Sequence, residues 1–182
     1  MTETKNILIA QRYSDALVDI AKEGNLSYEK LSTDLNVVND TLLSSPDLMD
    51  FLTNPLVSVD DKKETVIQIF SSEIDGLILN FLKVLIDKNR FDTFSEILNS
   101  YNKTLDSINN ISRVKVTSAI TISDEVKARL IEKLSQKLGK QVVVDNEVDE
   151  NVIAGLIIQI GDNIIDTSLR HKLDELEKNI TK

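Results

Sequence analysis

Residues Ala154–Leu176, with the sequence AGLIIQIGDNIIDTSLRHKLDEL, carry the signals for two strands, a tight turn and a capped helix. The β-branched run Ala154–Ile160 has no helical period, which predicts a strand. The turn residues Gly161–Asn163 tolerate the positive φ of a tight hairpin, and Ile164–Asp166 predicts the returning strand. Ser168 stands where an N-cap begins the next helix. The block is typical of a structural element and has no pattern of a reactive centre.

The predicted final helix carries a narrow apolar stripe with the spacing i, i+4, i+7 and i+11: Leu169, Leu173, Leu176 and Ile180. An isolated helix of this length is marginally stable in water, so part of the stripe is expected to pack on the sheet. The turns around Leu176 and Ile180 have the least sheet left to cover them. We expect these two residues to be exposed for a partner.

Composition excludes several classes of function. The 182 residues have a net charge of −9, and neither half of the chain offers the basic stripe that nucleic acid or an anionic bilayer requires. The absence of cysteine excludes disulfides and thiolate chemistry. No run approaches the roughly 18 apolar residues of a transmembrane helix, and no signal peptide is predicted. A protein partner is the expected ligand.

No pattern predicts a cofactor, a metal or a catalytic site. His171 is the single histidine and is interpreted as a solvated surface residue, because a metal site needs further ligands. An acidic cluster lacks the order of a calcium loop and is interpreted as a charged loop between strands: Asp145, Glu147, Asp149 and Glu150. P-loop, GxGxxG and GxSxG motifs are absent, so no small-molecule substrate is expected.

Helical periodicity and turn signals divide the first 110 residues into six predicted helices. Gly24-Asn25 ends the first helix, and Ser45-Pro46-Asp47 is a typical start signal for the third. The last two helices are predicted at about Ile74–Asn89 and Phe91–Ile108.

The pattern changes after Asn109-Asn110. Arg113–Ile120 alternates polar and apolar residues and predicts a strand, Ser123 opens a helix that Gly139 stops, and Gln141–Asp145 predicts another strand. The expected fold is therefore mainly α, with an N-terminal six-helix bundle in residues 1–110 and a small α+β domain in residues 111–182.

The fifth predicted helix has more apolar surface than one bundle contact needs. One broad face comprises Ile74, Leu77, Ile78, Phe81, Val84 and Leu85. A second stripe beside it comprises Leu79, Leu82 and Ile86. Together they span roughly 220°, against the ~100° of a common surface helix. Two interpretations remain open: the other helices surround this one, or the second stripe faces away from the core and receives a partner's amphipathic helix.

Four segments resemble the δ subunit of F-type ATP synthase, whose mitochondrial counterpart is the oligomycin-sensitivity-conferring protein. The most specific is Ile153–Asp162, IAGLIIQIGD, followed by Ile165–Arg170. Ala10–Leu17 and Gly139–Val142 also match, and the general layout agrees over the whole chain. The chain departs from the family pattern in small-for-small changes: Ser14 replaces a frequent alanine and Ala154 a frequent glycine.

The resemblance implies a non-catalytic stator component of the peripheral stalk. Its N-terminal domain is expected to hold N-terminal helices of the α subunits on the catalytic head. Its C-terminal domain is expected to hold the membrane-anchored b subunits, so that proton flow is coupled to ATP synthesis. The implied location is peripheral to a membrane, on the cytoplasmic face of the bacterial plasma membrane or the stromal face of the thylakoid. The alternative is a helical-bundle adaptor unrelated to ATP synthase.

Helical spacing suggests which residues make these contacts. For the α subunit, in a groove between the first and fifth helices, the candidates are Tyr13, Ala16, Leu79, Leu82 and Ile86. For the b subunits, the candidates are Leu169, Leu173, Leu176 and Ile180.

Overall fold

A computed structural model describes residues 2–23, 27–161, 163–171 and 173, without the side chains of residues 2–5. The chain divides into two compact units, Met1–Leu105 and Asp106–Lys182, which we term the helical unit and the sheet unit. This division falls a few residues before the expected boundary at residue 110. Within the described ranges, no helix has the length and apolarity that crossing a membrane requires.

Six α-helices form the described part of the helical unit, as predicted. They are α1 (Thr2–Glu23), α2 (Tyr28–Ser44), α3 (Pro46–Thr53), α4 (Val59–Phe70), α5 (Gly76–Asp87) and α6 (Phe94–Ile108). A 3₁₀ turn at Phe91–Thr93 precedes α6, so that helix begins later than predicted, and its last residues extend into the sheet unit. The predicted end of α1 at Gly24-Asn25 lies outside the described residues.

Polar side chains fix where several helices begin. The Ser58 hydroxyl accepts a hydrogen bond from the Asp61 N–H at 3.1 Å, and the Asp75 carboxylate accepts one from the Leu77 N–H at 2.9 Å. These bonds satisfy backbone donors that have no partner within the helix. Because Asp75 is the N-cap, α5 begins at Gly76 and not at the predicted Ile74.

The core of the helical unit draws large side chains from every one of these helices. Its members include Ala10, Leu17, Leu31, Leu35, Val38, Leu52, Val66, Phe70, Ile78, Leu82, Leu85, Phe94, Ile97 and Tyr101. The buried Tyr101 hydroxyl donates a hydrogen bond to the Tyr28 carbonyl oxygen at 3.1 Å. Burial raises the pKa of Tyr101 to about 12, since the phenolate is poorly solvated there.

The sheet unit contains β1 (Ile111–Ser118), α7 (Asp124–Leu138), β2 (Gln141–Val148), β3 (Leu156–Ile160) and β4 (Asn163–Asp166). The strand order is β2-β1-β3-β4. β1 and β2 are parallel and are joined through α7, whereas β3 pairs antiparallel with both β1 and β4. The predicted mainly α chain with a small C-terminal α+β domain is therefore confirmed.

Tight turns set the ends of these elements. Gly139 adopts φ +64° and closes α7, as predicted. Gly155 adopts φ +93°, so β3 begins at Leu156 and not at the predicted Ala154. β1 begins and ends two residues earlier than predicted, since the Ser118 hydroxyl donates to the Ile120 carbonyl at 2.7 Å and turns the chain.

Hydrogen bonds join the start of β3 to the segment after β4. The Leu169 N–H donates to the Ala154 carbonyl at 2.8 Å, and the Thr167 hydroxyl donates to the Leu156 carbonyl at 2.7 Å. The Ser168 hydroxyl accepts from the His171 N–H at 3.2 Å, which confirms the predicted N-cap. These hydrogen bonds therefore connect the residues at the start of β3 to the residues that follow β4.

The prediction that the acidic cluster forms a loop is wrong for two of its four residues. Asp145 and Glu147 lie on β2, which continues to Val148 because it pairs with the whole of β1. Lys115 Nζ lies 2.6 Å from a Glu147 carboxylate oxygen. Asp149 caps a 3₁₀ turn, Glu150–Val152. Within the described ranges, no group of three or more His, Asp or Glu residues is arranged to hold a metal ion.

Candidate partner-binding surfaces

α1 and α5 border an open apolar groove with a cavity volume of about 260 Å³. We term it the α1/α5 groove. Its lining residues are Tyr13, Ala16, Leu17 and Ile20 from α1, and Leu77, Asn80, Phe81 and Val84 from α5. Both sets follow the i, i+3, i+4, i+7 spacing, which places them on one face of each helix.

The groove has a buried floor and an exposed apolar rim. Leu17 and Phe81 form the buried floor, and the ring centroids of Tyr13 and Phe81 lie 6.1 Å apart at 70°. This edge-to-face arrangement is a favourable aromatic geometry. Ile20 and Val84 on the rim keep 40% and 44% of their surface exposed. The groove therefore offers apolar surface that no described residue covers.

Two of the predicted α-subunit contacts, Tyr13 and Ala16, line this groove. The prediction that the second stripe of α5 faces away from the core is wrong. Leu82 and Ile86 are 0% and 4% exposed in the bundle core, and Leu79 packs partly buried against the same core. A helical wheel gives the angles between apolar residues but does not specify which neighbours surround them.

The groove side of α5 instead carries residues that the sequence assigned to the broad core face. Leu77, Phe81 and Val84 border the cavity, whereas Ile78 and Leu85 from that same face are buried. Thus α5 is surrounded on most sides, as the first interpretation held, and still contributes an open apolar edge. Six lining residues were not among the predicted contacts: Leu17, Ile20, Leu77, Asn80, Phe81 and Val84.

A second, more polar cavity of about 530 Å³ continues the groove toward the start of α1. It shares Tyr13 and Ala16 with the first cavity and adds Ile9, Arg12, Lys88 and Arg90. Sequence reasoning missed this basic end, because Arg12 and Arg90 are far apart in a chain whose net charge is negative.

The sheet unit presents a separate group of exposed apolar residues. Leu169 and Leu173, both predicted contacts of the b subunits, are 42% and 50% exposed. Leu176 and Ile180 lie outside the described residues. Ile164 and Ile165 on β4, which is at the edge of the four-stranded sheet, are also exposed. We refer to the four exposed residues Ile164, Ile165, Leu169 and Leu173 collectively as the β4 patch, although Ile164 and Ile165 point to opposite faces of the sheet because side chains alternate along a strand.

A small polar cavity of about 210 Å³ lies in the sheet unit and is lined by Asp149, Asn151, Val152, Ile157, Asp166, Ser168, Arg170 and His171. Hydrogen bonds from Ser168 lower the pKa of Asp166, and hydrogen bonds from Asn151 lower the pKa of Asp149. His171 is exposed, as the sequence predicts. The arrangement stabilises two turns and offers no metal-binding cluster among the described residues.

Comparison with known proteins identifies the family. Residues 9–180 match the sequence model of the family described as ATP synthase delta (OSCP) subunit. The chain is 34% identical to the ATP synthase subunit delta of Chlorobaculum tepidum, with 95% of each chain covered. It is 36% identical to the Clostridioides difficile subunit, with 96% of this chain and 97% of the relative covered.

Structural comparison gives the same fold. A chain in the cryo-EM structure of the Toxoplasma gondii mitochondrial ATP synthase hexamer matches with a TM-score of 0.72 and 21% identity, over 95% of this chain and 97% of that chain. At this identity the likeness shows the fold alone. The family assignment rests instead on two findings. The family model matches residues 9–180, and the relatives are covered over nearly their whole length. The chain belongs to the ATP synthase delta (OSCP) subunit family, which comprises non-catalytic components of the peripheral stalk of F-type ATP synthase.

Proposed function

We propose that this chain links the catalytic head of an F-type ATP synthase to its membrane-anchored b subunits. The helical unit binds an N-terminal helix of the α subunit in the α1/α5 groove, and the sheet unit binds the b subunits. The link resists the torque of the rotor, so that proton flow is coupled to ATP synthesis. Relatives in Chlorobaculum tepidum and Clostridioides difficile support a position at the cytoplasmic face of a bacterial plasma membrane.

The observation that carries the proposal is the exposed apolar rim of the α1/α5 groove. Ile20 and Val84 stand on opposite helices above a buried floor, and the nearly apolar lining suits the apolar face of an amphipathic helix. Full burial of an exposed side chain of this size contributes roughly 1.5–3 kcal/mol, so covering the remaining exposed surface of Ile20 and Val84 contributes less than half of that for each. Because Leu82 and Ile86 are core residues, we replace them and Leu79 with Ile20, Leu77 and Val84 in the proposed contact set.

The β4 patch supports the second contact. Leu169 and Leu173 are spaced i, i+4 along the chain, and both remain half exposed. A coiled-coil end from the b subunits offers apolar side chains at matching helical intervals. We retain Leu176 and Ile180 as proposed contacts on the sequence pattern alone.

The α-subunit contact is tested with Val84→Asp in the full chain. We expect this variant to fold and to lose affinity for a peptide of the α-subunit N-terminus by more than tenfold, measured by calorimetry. Ile67→Asp is the matched control, because Ile67 is a β-branched residue on α4 with 38% exposure and lies outside both groove cavities. Equal affinities for the two variants would reject the α1/α5 groove as the site.

The b-subunit contact is tested with Leu173→Asp and with a chain that ends after Asp174. Both are expected to stay on the catalytic head but to release the b subunits, so that ATP hydrolysis in membranes continues without proton pumping. Val126→Asp on α7 is the matched control, since Val126 is 45% exposed and Leu173 is 50% exposed. Unchanged retention of the b subunits by both altered chains would move the contact to another surface, which cannot be the strand face at Val142–Val144 because Val142 and Val144 are buried in the core of the sheet unit.

A further inference from the structure

The end of the α1/α5 groove nearest the start of α1 concentrates positive charge. Three of the ten Lys and Arg residues in positions 1–110 line it: Arg12, Lys88 and Arg90. Among the described residues, none of the three has a side-chain hydrogen bond or an ion-pair partner. Cations that the bundle itself leaves unpaired are available to a ligand.

Local structure places these cations beside the apolar groove. Asn89 adopts φ +50°, and the Arg90 N–H donates back to the Leu85 carbonyl at 2.9 Å, which ends α5 in a Schellman-type turn. The turn puts Lys88 and Arg90 on the wall of the second cavity. On α1, Arg12 precedes the groove residue Ala16 by one turn and faces the same side.

The opposite end of the groove is apolar. Ile20 and Leu77 line the first cavity there, and among the described residues that line this cavity none is charged. Asp19 and Glu23 lie on the last turns of α1 but line neither cavity, and Asp19 is paired with Lys22 at 3.6 Å. The groove therefore has a basic end and an apolar end.

We propose that the basic end selects a partner helix with carboxylate side chains at one end of its apolar face, and so fixes the direction in which that helix docks. This inference rests on the proposed function, and the occupant is the N-terminal helix of the α subunit. In the productive direction, the partner's carboxylates meet Arg12, Lys88 and Arg90. In the reverse direction, they meet the apolar end at Ile20 and Leu77, where no cation lines the cavity, and the loss of these ion pairs disfavours docking.

Affinity and its dependence on salt form the first test. Binding of an α-subunit N-terminal peptide to the full chain is compared for Lys88→Glu/Arg90→Glu and for the control Lys83→Glu/Lys103→Glu, which carries the same charge change outside both cavities. We expect the groove variant to bind about tenfold more weakly at low salt, with the difference shrinking at high salt, and the control to bind as wild type does. Circular dichroism checks that both variants fold.

A reciprocal exchange tests whether the carboxylates are the partners. Replacing the acidic residues at one end of the peptide with lysine is expected to weaken binding to wild type and to restore binding to Lys88→Glu/Arg90→Glu. A nitroxide at that end of the original peptide is expected to broaden the NMR signals of Ile9 and Arg12, and a nitroxide at the other end those of Ile20. The opposite broadening pattern would overturn the proposed direction.

The outcomes separate this inference from the proposed function. If Val84→Asp abolishes binding while Lys88→Glu/Arg90→Glu binds as wild type does, the groove is the site and the charge selection is wrong. If the peptide does not bind wild-type protein, the proposed α-subunit site fails and the proposed direction fails with it.

Discussion

The helical unit and the sheet unit are stabilised in different ways. The helical unit buries a large apolar cluster from six helices, in which single residues such as Leu82 are completely covered. The buried apolar residues described for the sheet unit are fewer: Val114, Val116, Leu134, Val142, Val144 and Val152. That unit relies in addition on specific hydrogen bonds and on one close backbone approach at Gly155.

Asn146 illustrates the second mode of stabilisation. Its amide nitrogen donates to the Val116 carbonyl at 3.0 Å and its amide oxygen accepts from the Ile122 N–H at 3.2 Å. One side chain thus connects β2, β1 and the segment that leads into α7. In the helical unit, the effect of a substitution should follow burial, whereas in the sheet unit it should follow backbone geometry and hydrogen bonding.

The largest expected effect tests burial in the helical unit. Leu82→Ala should lower the free energy of unfolding by about 2–5 kcal/mol, because Leu82 is fully buried and the truncation leaves a cavity. Val84→Ala, two residues along the same helix and 44% exposed, should cost less than about 1 kcal/mol. Urea denaturation of both variants, followed by circular dichroism, gives the comparison. Similar losses would mean that burial does not separate the two sides of α5.

The next effect tests backbone geometry in the sheet unit. Gly155→Ala places a Cβ 2.6 Å from the Thr167 carbonyl oxygen at φ +93°, and should cost about 3 kcal/mol. In Gly139→Ala the Cβ meets nothing within 4 Å at φ +64°, so the cost should be about 1–2 kcal/mol. Hydrogen exchange of the β1 and β3 amides measures the loss of stability in each variant. An equal loss of stability in the two variants would show that the close approach of residue 155 to the Thr167 carbonyl oxygen is not the cause.

A smaller effect comes from Tyr101. Tyr101→Phe removes the hydrogen bond to the Tyr28 carbonyl and should cost about 1 kcal/mol at neutral pH. The folded-state pKa is raised from the ordinary 10.0 to about 12, so the stability linked to this group is present below pH 10 and is lost as the pH rises through about 12. Denaturation curves above pH 10 should therefore decline more steeply for wild type than for Tyr101→Phe. Parallel declines in the two proteins would contradict the raised pKa of Tyr101.

The smallest effect concerns Asp166 in the sheet unit. Hydrogen bonds from Ser168 lower the pKa of this partly buried carboxyl, so its contribution to stability is present above the ordinary pKa of 3.8 and is lost as the pH falls through the lower folded-state value. Asp166→Asn should make the acid limb of the stability curve of the sheet unit shallower. NMR titration of the Asp166 side chain in the wild type checks the direction, and a pKa at or above 3.8 would contradict it.

Local signals predicted most of the fold. Caps such as Ser168, the αL turn at Gly139 and the alternation in β1 act within a few residues, so the sequence alone indicates their effect. The sides of α5 were not predictable in this way. Leu82 and Val84 are both apolar residues of one helix, and only the neighbouring helices determine that the first is buried and the second borders a groove.

The groove itself depends on residues distant in the sequence. Tyr13 and Phe81 form its aromatic contact, and Arg12 joins Lys88 and Arg90 at its basic end, through packing of α1 beside α5. The net charge of the sequence does not reveal this cluster, because it sums the three cations with many carboxylates. The expected partner follows from the resemblance to a known family, whereas the residues that line the groove are known only from the structure.

The proposed binding of the α-subunit N-terminal helix in the α1/α5 groove can be observed residue by residue. The isotope-labelled full chain is titrated with a peptide of that helix, and the NMR shifts are mapped onto the structure. We predict that the largest shifts fall on Ala16, Ile20, Leu77 and Val84, while the β4 patch stays unchanged. Largest shifts at Ile164 and Leu169, or no saturable shift in the groove, would contradict the proposed binding.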